Sequence, residues 1–160
     1  MKALALLGVL AVLAFSGSAV ASSNSANDGA LSVKNADGRV IVNGRGGVIG
    51  RFDKGQVTIK DPNPNDGTGP IVNGADTTQS VGDHTTRYSG SNIRFRIIGG
   101  SFTVTVFATG VDMSVIGRGL VTLDGTTGTD GTYTLNGDAA QQFPTFRFTF
   151  PLAAPTGAGG

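Results

Sequence analysis

The chain has no cysteine, no tryptophan and no glutamate, and its 160 residues include a single histidine, His84. Without cysteine there is no disulfide scaffold, no thiolate zinc site and no cysteine nucleophile. With one histidine there is no paired-histidine metal motif. All 11 acidic residues are Asp and Lys is scarce, so good helix formers are in short supply. In their place stand 26 Gly and many Thr, Val and Asp, which suit strands and turns. No stretch sustains helical periodicity, and the pattern predicts an all-β fold.

Met1-Lys2 opens a leader-like segment. Ala3 to Phe15 is apolar apart from Gly8, and Ala19-Val20-Ala21 closes with the small-x-small pattern that signal peptidase cleaves. The apolar run is shorter than the roughly 20 residues that cross a bilayer. Residues 1–21 are therefore expected to be a signal peptide, cut before Ser22, leaving no membrane span. Cleavage removes Lys2, so 11 basic residues then face 11 acidic ones. A neutral chain lacks the basic excess by which nucleic acid or an anionic membrane is usually held. The expected location is the periplasm, the cell envelope or the medium, and the expected partner is an unidentified envelope or extracellular one. An exported chain without cysteine suits a bacterial protein that relies on packing.

Residues 22–30 and 153–160 are small and polar or small and Pro-containing, and read as flexible tails around a β domain over 31–152. Within it, alternating apolar runs are separated by Gly, Asn or Asp at about 8–12 residue intervals, the pattern of a single antiparallel β-sandwich or flattened barrel. Residues 92–124 read as a meander. A primed turn at Gly99-Gly100 pairs Phe95 with Val104, one at Thr109-Gly110 pairs Val104 with Val115, and a bulged turn at Gly117-Arg118-Gly119 pairs Asp112 with Asp124. Ile93, Phe95, Ile97, Phe102, Val104, Val106, Met113, Val115, Val121 and Leu123 then form the core face. The opposite face carries Arg94, Arg96, Thr103, Thr105, Asp112, Ser114, Thr122 and Asp124, and is the expected contact surface. A short echo links Gly44-Arg45-Gly46-Gly47-Val48 to Gly117-Arg118-Gly119-Leu120-Val121, without the constant spacing of a solenoid.

Four Gly-Arg elements, at Arg39, Arg45, Arg51 and Arg118, either present guanidinium groups to an anion or pair with the many Asp. Asp61, Asn63, Asn65 and Asp66 alternate oxygen side chains before Gly67, as in the first half of a calcium loop. Two interleaved prolines, a late Gly and Val72 where a bidentate Glu belongs depart from that pattern, and a stiff Asx-turn loop is the alternative. Facing carboxylates at Asp112 and Asp124 are the arrangement of an acid/base hydrolase, or else exposed residues near turns. His84 reads as a loop imidazole, since no Gly-x-Ser-x-Gly elbow accompanies it.

Residues 44–55, the Asp61 to Asp66 loop and Tyr88-Ser89-Gly90-Ser91-Asn92-Ile93-Arg94-Phe95-Arg96 together resemble a group of small exported bacterial proteins, chiefly actinobacterial, without an assigned activity. The resemblance covers roughly residues 38–125 and implies export and a β fold. It carries over no catalytic residue. The expected function is an exported, non-catalytic structural or binding domain. A secreted hydrolase using Asp112 and Asp124 is the first alternative. A small outer-membrane barrel with lipid-facing Phe and Val and lumen-facing Arg and Thr is the second.

Overall fold

The computed structural model describes residues 25–126 and 131–156. Among them are eight strands: β1 (Gly29–Lys60), β2 (Ile71–Asn73), β3 (Thr77–Gly82), β4 (Thr85–Ile97), β5 (Ser101–Gly125), β6 (Thr132–Leu135), β7 (Gln141–Gln142) and β8 (Phe148–Leu152). All pairings are antiparallel and belong to one sheet, so the fold is all-β.

Val106 shows how that sheet is bent. It pairs with Val40 on one side and with Val57 on the other, two valines 17 residues apart in the same strand. Strands two places apart are separated by about 10 Å, whereas 17 extended residues span about 56 Å. The strand must go round and return. β1 is accompanied throughout by one antiparallel partner, first β4 from Lys60–Thr85 to Val48–Ile97, then β5 from Arg45–Ser101 to Gly29–Gly117. One turn later this two-stranded ribbon pairs with itself, from Gly38–Gly125 to Lys60–Thr103. The result is a flattened coil with 17 residues per turn, in which each half-turn of about 28 Å matches the width of a domain of this size.

Flattening gives two layers around one core. The first runs β2, β4, β1, β5, β1, β6, β7 through Val72, Phe95, Gly50, Met113, Val33, Tyr133 and Gln141. The second runs β3, β4, β1, β5, β1, β5, β8 through Thr78, Tyr88, Val57, Val106, Val40, Leu123 and Phe148. Long strands crossing between layers at bends are a known way of closing a β-sandwich.

Glycine makes the bends. Along one fold line Gly44 pairs with Gly119, Arg45 with Arg118 and Gly46 with Gly117, so the two halves of the sequence echo lie side by side. Gly46 has φ 132°, and a Cβ there would collide with the Ile116 carbonyl oxygen. Only glycine tolerates both the conformation and the approach. The echo is thus a corner device used twice. The repeat that unequal spacing in the sequence conceals is the 17-residue turn.

The expected meander does not form. Residues 92–124 pair with β1 and the edge strands, not with one another, because the chain turns a corner at each supposed hairpin. Thr109 is one reason, since a primed turn would force this β-branched residue to positive φ. The inward face, in contrast, is as expected: all ten core-face residues are at most 4% exposed. The described residues at the two ends of the domain make specific contacts. β1 already begins at Gly29, Asp28 lies 3.5 Å from Arg118, and the Ala154 amide donates to the Asn27 carbonyl. The predicted signal peptide lies outside the described residues. Val33, Val57, Val106, Phe52 and Phe95 are among the side chains buried in one apolar core, while Arg94 and Arg96 are exposed on the outer face.

Candidate functional site

The eight residues of the expected contact surface divide between two faces. Thr103, Thr105, Thr122 and Asp124 lie on the outside of the second layer, where Thr58, Thr105, Ile41, Thr122 and Thr149 form one cross-strand row. That face satisfies itself: Thr122 and Thr149 hydroxyls are 2.8 Å apart, Arg147 lies 3.5 Å from Asp124, and Arg39 stacks over Phe107.

Arg94, Arg96, Asp112 and Ser114 lie on the outside of the first layer and line a groove of about 440 Å³. Two cross-strand rows shape it. One runs Asn73, Arg94, Arg51, Asp112, with Lys34 beyond; the other runs Ile71, Arg96, Ile49, Ser114. Beneath them Phe95 covers Gly50 from the core side, and a Cβ at Gly50 would strike its ring. The lining holds four cations, Lys34, Arg51, Arg94 and Arg96, against one anion, Asp112. A chain near neutrality overall has collected positive charge on one face.

Asp112 organises the groove. Its Oδ2 accepts from Arg51 Nε at 2.9 Å and Nη2 at 2.6 Å, and its Oδ1 accepts from the Asn35 amide at 2.9 Å. Partial burial opposes ionisation of the carboxyl. The Asn35 and Arg51 hydrogen bonds and the charges of Arg51 and Lys34 outweigh it and hold the group below the usual carboxylate range. Arg51 remains 64% exposed, so the ion pair fixes the guanidinium without hiding it.

The remaining candidates lie elsewhere in the fold or in other pairings. Asp112 pairs with Arg51 in the first layer and Asp124 with Arg39 in the second, so the facing pair needed by a two-carboxylate hydrolase is not formed. In the candidate calcium loop, Asp61 Oδ1 accepts from the Asn63 amide and Asp66 Oδ1 from the Thr68 amide. Both are Asx turns. The Thr68 hydroxyl and amide bonds lower the pKa of Asp66. Among the described residues no three His or Asp side chains gather in a metal-holding group. His84 sits at the β3–β4 hairpin turn with φ 52°. Of the Gly-Arg elements, Arg51 and Arg118 lie within ion-pair distance of Asp112 and Asp28, and Arg51 also lines the groove.

Lys34, Arg51, Ile49 and Ile71 were missing from the expected surface. The winding brings them together from distant positions; Arg51 is marked in the sequence as a Gly-Arg element, whereas no local motif marks Lys34, Ile49 or Ile71. Comparison of the chain with protein-family models, curated proteins and solved structures finds no match.

Proposed function

We propose that the protein is an exported, non-catalytic binding domain of the bacterial cell envelope or medium that holds an anionic partner on the outer face of its first layer. Four cations around one carboxylate in a concave site carry this reading. Guanidinium groups pair well with carboxylate and phosphate, and Arg51 is already oriented by Asp112. The leader-like residues 1–21 support export.

Titration of the isotope-labelled protein with inorganic phosphate, octanoate and octyl phosphate, followed by amide NMR, tests it. Shifts are expected at residues 49–51, 94–96 and 112–114. Shifts confined to the second layer, or none with any of the three anions, would overturn the reading.

A further inference from the structure

The groove is not uniformly polar. Ile71 and Ile49 are the two ladder partners of Arg96, one on each side, and are 43% and 47% exposed. They stand on the same outer face as the cation row, displaced from it by two residues along the strands, or about 7 Å. Isolated exposed apolar residues are ordinary. Here two flank an exposed arginine that lines the same groove as the row Arg94, Arg51, Asp112, Lys34. An anionic group on Arg94 and Arg51 leaves any attached chain running over Ile49 and Ile71 and along the stem of Arg96. Arginine stems cover apolar surface in this way while the guanidinium stays wet.

Resting on the anion-binding reading above, we infer that the groove takes a small amphipathic anion, a phosphate or carboxylate head bearing a single alkyl chain. The size is apt: about 440 Å³ lies in the range that holds one small-molecule ligand. The head is selected by charge complementarity and the chain by the two isoleucines. The occupant is a free amphiphile seated in the groove, not a lipid packed in a bilayer.

The test uses the intact protein, calorimetric titration and three probes: octyl phosphate below its micelle concentration, inorganic phosphate, and uncharged octyl glucoside. Octyl phosphate is expected to bind at least tenfold more tightly than either of the others. Ile49→Ser with Ile71→Ser should bring octyl phosphate down to the level of inorganic phosphate and leave phosphate binding unchanged. Arg94→Ser should weaken both anions, with circular dichroism confirming that the variants fold. Equal affinity for octyl phosphate and inorganic phosphate would remove the apolar half of the site while leaving the anion-binding reading intact. Failure of both anions to bind would remove that reading as well. Binding to phosphatidylglycerol vesicles without binding of octyl phosphate would overturn the assignment to a free amphiphile.

Discussion

Arg51 and Asp112 are ladder partners in adjacent strands, 61 residues apart in sequence and joined by two hydrogen bonds to one carboxylate oxygen. Asp112 is also the single negative side chain among the four cations lining the groove. Asp112→Asn should therefore do two opposite things. Stability should fall by up to about 1 kcal/mol, the scale of a largely exposed ion pair. Affinity for an anionic probe should rise by about two- to fivefold, since a competing charge is gone. Denaturant melts and titration of the same variant measure both.

The same carboxylate predicts a pH dependence. Its folded pKa lies below the unfolded value of about 3.9, so its contribution is present above that value and is lost as pH falls through the folded pKa. As pH falls below about 4, the wild type should lose stability more steeply than Asp112→Asn. The difference is small because the site is well exposed to solvent. Identical acid limbs for the two proteins would show that the folded carboxyl is not stabilised as an anion.

The corners predict a contrast between glycines. At Gly46 a Cβ meets the Ile116 carbonyl and φ is 132°, whereas at Gly67 φ is 78° and nothing lies within 4 Å. Gly46→Ala should cost about 2–3 kcal/mol or prevent folding, and Gly67→Ala about 1 kcal/mol. Equal costs would mean that the close approach at the corner does not exist.

The division between inside and outside can be tested on one strand. Leu123 is fully buried and Leu120, three residues earlier, is 55% exposed. Leu123→Ala should cost about 2–4 kcal/mol and Leu120→Ala under about 0.5 kcal/mol.

This inward face was legible in the sequence because alternation alone decides which side chains turn inward. Pairing was not. A glycine between two alternating runs reads the same whether the chain reverses or bends, and the difference lies in a φ value that the sequence does not display. Asn136-Gly137, with both residues at positive φ (54° and 79°), marks a genuine tight turn with the residues such turns prefer. Thr109-Gly110 is a corner, and its β-branched threonine was the available warning. The groove inherits the difficulty. Arg94, Arg96, Asp112 and Ser114 could be placed on a polar face, but Lys34, Arg51, Ile49 and Ile71 join them only through the 17-residue turn.

The calcium-loop alternative yields a further expectation. If Asp61 and Asp66 serve as turn acceptors, as their bonds to the Asn63 and Thr68 amides indicate, millimolar calcium should leave the melting temperature unchanged. A rise of several degrees would identify native-state ligation instead.

Every feature of the proposed site depends on the ribbon winding so that Arg51 lies between Arg94 and Asp112. Backbone nuclear Overhauser contacts in the labelled protein test this most directly. The winding predicts contacts from residue 51 to residues 94 and 112, and from residue 106 to both 40 and 57. Contacts joining Phe95 to Val104 and Asp112 to Asp124, as in a local meander, would contradict it.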